Sequence, residues 1–433
     1  MTLYASHFLY LRCYRQADIL DALNILNLGL FLHFTVAPFL LYFQVMPAFY
    51  ESLWDWEAFP SALVLIHAFC VMVQVGYYLD IRSRTRKKEP VFTGSPSEWK
   101  LIGLLLAVVM IMSFKGLLPM EVATSGIYIG LSSMVFALPY FLLTMLPQRA
   151  SGVAKCAVFG GIVWSLWISL FSGIGSKAGV ANVVLAFVVY RNYMVRRLRL
   201  FPLVVGAAST IMVVTYMNYS RAVGYLSNIA WSAANPFSGE NIATFWAAGV
   251  SSMLTPFEAF MVVLDTFPRT LPYQYGQRFL EEMVYPLFPR IMFPWKPEIY
   301  GSGFFWEYHT GFLSLETKIY ESVSLPGYFY LDFSIPGIIV GGLLVGVIHR
   351  YVYQRLISDG ATRGSVCLYG IISGFSLIAA RAFFWTSYPI IVSVMIPMIL
   401  IYLVQRRHGN TLRFPWPQRY GARGVVEVKY PVV

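Results

Sequence analysis

Cations are rare in this chain wherever the sequence turns apolar, and those that do fall there come from a few well-separated places. Lys177 lies in SGIGSKAG at 172–179 and Arg221 in NYSRAVGY. Arg278, Arg290 and Lys296 lie in PYQYGQRFLEEMVYPLFPRIMFPWKP at 272–297, and Arg381 in AARAFFW. An ionisable group in or beside an apolar segment is costly, so each is a candidate for function. A single one is explained by a side chain snorkelling towards headgroup phosphates. The set together asks for more. Arg offers a planar fork matched to phosphate and Lys a mobile point charge, so cations converging on one cavity make a site for an anion with several oxygens.

The residues around Arg290 and Lys296 strengthen that reading. Pro289, Pro294 and Pro297 fix φ and stiffen LFPRIMFPWKPEIYGSG at 287–303, displaying both cations on a rigid, irregular frame. Trp295, Phe293 and Tyr300 offer flat apolar faces on which sugar rings stack. A belt of aromatics at a membrane interface accounts for Trp and Tyr alone, but not for three prolines around two cations. Groups able to take a proton are His309 and the acids Glu258, Glu281, Glu282, Glu307, Glu316 and Glu321. Any of them deprotonates a sugar hydroxyl if suitably placed, and the sequence does not choose among them. His33 and His67 fall within apolar spans and read as packing residues.

The elements that must position these groups are membrane helices. Of 433 residues, 58% are hydrophobic and 12% charged, with a mean hydropathy of +0.61. A soluble domain carries about 25% charged residues. A spanning helix needs about 20 mostly apolar residues. Ten stretches meet that measure, at about 23–45, 59–80, 100–114, 126–147, 154–171, 178–194, 202–217, 327–348, 365–382 and 388–404. The opening MTLYASHFLYLRCYRQAD is polar and aromatic, unlike a cleavable signal. The expected class is therefore an all-α polytopic membrane protein.

Loop charges orient it. RSRTRKK at 82–88, QRASGVAK at 148–155, RNYMVRRLR at 191–199, HRYVYQR at 349–355 and QRRHG at 405–409 fall in alternate loops. Basic loops stay cytoplasmic, so both termini (1–22 and 405–433) are expected there. The formal charge of +11 is thereby an orientation signal, and no soluble basic surface for nucleic acid exists. Spans one to seven occupy 23–217 and spans eight to ten 327–404, leaving 218–326 as one large outward loop. Loops of that length are usually functional. Within it, 240–265 has helix-length apolar patterning, broken at Pro256 and carrying Glu258. It is expected to lie on the membrane surface or plug the bundle; the alternative is a further re-entrant or spanning pair. Cys13, Cys70, Cys156 and Cys367 show no metal-binding or disulfide spacing. At this depth in an envelope, the anion that several outer cations would suit is a lipid-linked diphosphate.

In these residues the chain resembles the O-antigen polymerase (Wzy-type oligosaccharide repeat-unit polymerase) family. The likeness rests on SGIGSKAG opening an apolar helix, on the PR…P-x-KP core within 272–297, and on ESVSLPGYFYLDFSIPGIIVGGLLVGVIHR at 321–350. Arg381 matches an arginine that members often carry at the end of a late span. The likeness covers roughly the C-terminal 60% of the chain, and Ser334-Ile335-Pro336 departs from the Gly-rich turn more usual there. The resemblance implies a GT-C-like architecture in a bacterial inner membrane with its active site facing the periplasm. It implies a metal-independent, cofactor-free, inverting glycosyltransferase acting on undecaprenyl-diphosphate-linked oligosaccharides among membrane lipids. A chain-length regulator protein is a further partner in that setting. Arg290, Lys296, Arg221, Lys177 and Arg381 would neutralise the diphosphate leaving group, with Arg278, Trp295 and Tyr300 binding substrate and His309 or a carboxylate such as Glu258 as base. O-antigen ligases and lipid-linked oligosaccharide flippases are the alternatives. His309 keeps the first open, and the lack of an inverted repeat argues against the second.

Overall fold

The computed structural model describes residues 18, 20–43, 55–79, 103, 137–144, 150–171, 177–195, 198, short pieces between 205 and 219, 242–284, 294–295, 323–358 and 363–379. Every regular element among them is a helix. Besides helical pieces at 137–144 and 205–209, these are in chain order α1 (Ala22–Tyr42, with a π-helical turn at Leu32–Val36), α2 (Ala58–Tyr78), α3 (Gly152–Phe171), α4 (Lys177–Tyr190), α5 (Ile242–Thr266), α6 (Gln277–Val284), α7 (Leu325–Tyr353) and α8 (Arg363–Ala379). A π-turn at Arg191–Val195 extends α4, and another at Gln354–Ser358 extends α7. Among the described residues, three helices are long and apolar enough to cross a membrane: Ala22–Tyr42, Ala58–Tyr78 and Leu325–Ser358. The apolar stretches Gly152–Leu166, Val183–Val195 and Gly364–Leu377 are shorter. Of the expected spans, 126–147 is described only at 137–144, 100–114 and 202–217 in fragments, and 388–404 lies outside the described residues.

One end of the bundle is tied by the residues that open α1. The Asp21 carboxylate caps the helix, accepting from the Leu23 N–H at 2.9 Å, and also accepts from the Tyr77 hydroxyl at the end of α2. Asp18 Oδ2 accepts from the Tyr193 hydroxyl at 2.6 Å and the Tyr353 hydroxyl at 2.8 Å, at the ends of α4 and α7. The Leu20 carbonyl accepts from Tyr193 at 3.2 Å and from Tyr369 of α8. Arg350 stands over the Tyr77 ring, 5.3 Å from its centroid. Both carboxylates are buried, and neutral hydroxyl donors are what make such burial tolerable. This end carries the basic residues Arg191, Arg350 and Arg355.

Helices α2 and α7 approach closely enough for their backbones to touch. A Cβ on Gly346 would lie 2.0 Å from the Val73 carbonyl oxygen, and one on Gly76 2.1 Å from that of Leu343. At Gly342 it would meet the Phe69 carbonyl oxygen at 2.7 Å. Small residues four apart on a membrane helix permit such contact, which replaces the hydrophobic drive that lipid does not supply.

Two expectations change at α5 and α7. Pro256 does not break α5, which runs unbroken from Ile242 to Thr266. Every residue from Leu254 to Val263 is buried, Glu258 completely so, with α5 packed against α1, α2 and α7. Burial on all faces outweighs the cost of about 3 kcal/mol that an interior proline carries. The part of the helix from Leu254 to Val263 is thus packed within the bundle and does not lie on its surface. In α7 the helical run begins at Leu325, and Ser334 has φ 58° and ψ −149°. Residues eight apart in a straight helix are separated by about 12 Å. Yet a Cβ on Gly337 would lie 2.0 Å from the Phe329 carbonyl oxygen, and one on Gly341 2.4 Å from the Phe329 ring. The chain therefore folds back at Ser334, laying Leu325–Phe333 against the start of the longer segment that follows. The 327–348 stretch, read from sequence as one straight span, is two helices, and Ser334 occupies backbone space that normally demands glycine.

Candidate functional site

At the end of α7 opposite Asp18, the folded-back segment meets the chain that leaves α5. Three hydrogen bonds join them. The Gln274 N–H donates to the Leu331 carbonyl at 3.1 Å and the Tyr275 N–H to the Asp332 carbonyl at 2.8 Å. The Phe279 N–H donates to Asp332 Oδ2 at 2.9 Å. Helix ends leave unpaired groups, and here each element satisfies the other's: residues 274 and 275 take carbonyls from the end of the short helix, and the Asp332 carboxylate takes an amide from the first turn of α6. A carboxylate also suits the positive end of the α6 dipole. Asp332 is 1% exposed, and its Oδ1 makes no hydrogen bond, leaving one buried acceptor open beside the helix start.

Aromatic hydroxyls continue the assembly. Ser334 Oγ donates to the Tyr273 hydroxyl at 2.9 Å, Tyr273 to the Tyr330 hydroxyl at 3.3 Å, and Tyr330 to the Phe267 carbonyl at 3.5 Å. The chain of donors starts at the strained Ser334, and its hydrogen bond helps hold the reversal in place. Tyr273 stacks on Phe267, with ring centroids 6.3 Å apart.

Arg278 is the one candidate cation whose side chain is among those described. Its Nη1 lies 2.8 Å from Glu281 Oε2, with the two side chains 14% and 11% exposed, and its Nε donates to Gln274 Oε1 at 3.3 Å. It is a held cation, already matched by Glu281. Gln277 Nε2 donates to the other oxygen of Glu281 at 3.0 Å, so both carboxylate oxygens are engaged. Glu258 is buried in α5. Lys177 is the first residue of α4, as a small-residue turn before it implied. It lies fifteen residues, about 22 Å of helix, from the Asn192 that donates to Asp18, so it stands towards the same end as Ser334. Trp295 sits in a turn with Pro294 and is 71% exposed. Arg221, Arg290, Lys296, Tyr300, His309 and Arg381 lie outside the described residues.

Asp332 was not singled out by sequence reasoning, although an acid inside an apolar run is itself a signal. Its cap is testable. Asp332→Ala is expected to lower stability by about 1–2 kcal/mol, the usual cost of a lost cap, read as a lower melting temperature of the purified protein. Asp332→Asn keeps an acceptor for the Phe279 amide and is expected to restore most of that loss. Equal melting of all three proteins would remove the capping role.

Comparison of the chain with protein-family models, with curated proteins and with solved structures gives no match.

Proposed function

We propose that this chain is a polymerase of lipid-linked oligosaccharide repeat units, held in a bacterial inner membrane by ten spans in a GT-C-like arrangement with its site facing the periplasm. The observation that carries the reading is the junction at Asp332. The stretches 272–297 and 321–350 are the two longest that resemble the polymerase family, and they are bonded to each other through Gln274, Tyr275 and Phe279. Family-like segments that were separate in sequence thus form one rigid unit, from whose helix α6 the chain runs on to Arg290 and Lys296.

In the proposed reaction an acceptor hydroxyl of one undecaprenyl-diphosphate-linked repeat unit attacks the anomeric carbon of the growing glycan. The new glycosidic C–O bond forms as the anomeric carbon's bond to the undecaprenyl diphosphate oxygen breaks, with inversion. The hydroxyl proton passes to a base, His309 or a carboxylate of the 218–326 segment, and the diphosphate leaves as an anion. Arg290, Lys296, Arg221, Lys177 and Arg381 supply positive charge where that anion develops, which is the largest single source of rate in such a step. Arg278, Trp295 and Tyr300 contribute substrate contacts, and holding two lipid-borne sugars in register supplies much of the remainder. A chain-length regulator protein is a proposed partner.

The leaving group is already a stable diphosphate and the cations are the protein's own, so turnover is expected to persist in a chelator. Glycan polymerisation by washed membranes with and without chelator measures this. Activity that vanishes on chelation and returns with a divalent ion would contradict the mechanism. The function itself is tested on a gel of surface glycans from cells lacking this chain. Collapse of the ladder to a core bearing one repeat, reversed by the wild-type chain, supports the polymerase. Loss of every repeat from the core points to a ligase or flippase, and an unchanged ladder removes all three.

A further inference from the structure

The reversal between Gln274 and Gln277 is closed by the Gln277 N–H donating to the Gln274 carbonyl at 2.9 Å. Both central residues are left-handed, Tyr275 at φ 51° and Gly276 at φ 88°. Turns of this kind favour Gly, Asn or Asp at both places. Gly276 conforms, and it has a second reason to be glycine, since a Cβ there would meet the Phe333 ring at 2.9 Å. Tyr275 does not conform. A bulky aromatic at positive φ is an outlier that other gains must offset. Burial of the ring is the common offset, but Tyr275 is 80% exposed. Its N–H holds the Asp332 carbonyl at 2.8 Å, a bond that any residue but proline would supply. The fold thus gains nothing from the phenol that it would not gain from glycine or asparagine. Strain that persists without structural return marks a residue kept for what its side chain touches. A tyrosine serving only as a membrane-interface anchor works from an unstrained backbone, so anchoring leaves the conformation unexplained.

We propose that Tyr275 is a substrate-positioning residue whose exposed ring stacks against a sugar ring of the lipid-linked oligosaccharide, on the rigid junction between α6 and the folded-back helix of α7. The proposal rests on the polymerase reading above and deepens it by naming a carbohydrate subsite. The chemistry beside the ring fits. Gln274 and Gln277 bracket the turn with planar amides, and the Glu281 carboxylate is within reach of both Gln277 and Arg278. An apolar ring on a turn whose flanking residues carry planar polar groups suits a sugar, which presents C–H groups on one side and hydroxyls around the rim. The frame is pre-organised, because the Asp332 and Arg278 hydrogen bonds already hold the turn.

The test compares wild type, Tyr275→Gly and Tyr275→Phe as full chains. Each is expressed in cells lacking the native copy, and each is purified in detergent and titrated with single repeat-unit oligosaccharides cut from the host's own surface glycan. Tyr275→Gly is expected to melt at or above the wild-type temperature, because glycine relieves the strain. It is also expected to bind the oligosaccharide about tenfold more weakly and to shorten the ladder. Tyr275→Phe is expected to stay close to wild type in both. Wild-type binding by Tyr275→Gly overturns the subsite, as does a lowered melting temperature with binding intact, which would make the ring structural. A Tyr275→Phe protein as weak as Tyr275→Gly overturns stacking. If deleting the chain leaves the ladder unchanged and wild type binds no oligosaccharide, the polymerase reading fails first and the subsite with it.

Discussion

Cells whose only copy of this chain carries Arg290→Ala will make a glycan ladder that stops at a core bearing a single repeat, while the variant protein stays in the membrane. The expected loss is about 10²–10³ in rate, since removing one positioned donor from a developing oxyanion costs about 3–4 kcal/mol of transition-state stabilisation. Arg290 is chosen because Pro289 and the pair Pro294 and Pro297 stiffen the chain on both sides of it. A cation on such a frame has little freedom to drift from the leaving group. Arg290→Lys is expected to recover only part of the activity, because a point charge replaces the two-pronged donor. The measurement is the ladder together with an immunoblot of the membrane fraction. A normal ladder from Arg290→Ala removes Arg290 from the site. A short ladder with no protein in the membrane would instead assign Arg290 to folding.

Gly346→Leu should be the most damaging single change to the fold. The Cβ of any residue at this position would stand 2.0 Å from the Val73 carbonyl oxygen and 2.7 Å from the Tyr77 amide nitrogen, both backbone atoms of α2. A side chain can swing aside, but a helix backbone cannot without separating along its length. Overpacking of a well-packed core costs about 1–3 kcal/mol, and here it would also pull α7 from Gly76 and Gly342, where the same helices touch. The expected result is a large fall in the melting temperature of the detergent-solubilised protein, or its loss from the membrane. Leu344 faces outward at 48% exposure on the same helix, so Leu344→Ala serves as a neighbour whose stability should scarcely change. Equal stability of Gly346→Leu and wild type would show that the two helices do not pack as described.

Hydropathy alone placed helices well where the chain is mostly apolar. The expected 59–80 is the helix Ala58–Tyr78, and 154–171 is Gly152–Phe171. The reason is local: about 20 mostly apolar residues must be helical in a medium that offers no other hydrogen-bond partner. Composition likewise sufficed for the helical class and for the scarcity of cations outside the basic loops. It could not show that Pro256 leaves α5 intact, because the cost of an interior proline is local while its compensation comes from three other helices. It could not show the reversal at Ser334, because hydropathy is blind to the sign of φ and the LDFSIPGI sequence reads as one apolar run.

The candidate site divides the same way. The types of residue, with cations, prolines and exposed aromatics in 272–297, were legible because each carries its chemistry in its own side chain. What only the tertiary structure decided is that Asp332 meets Phe279 across 53 residues, that Arg278 is already matched by Glu281, and that Tyr275 is strained and exposed at once. Each of these depends on where a distant backbone turns. One unusual residue, Ser334 with its positive φ, folds the start of α7 back onto the segment that follows it, and no periodicity in the chain announces that geometry.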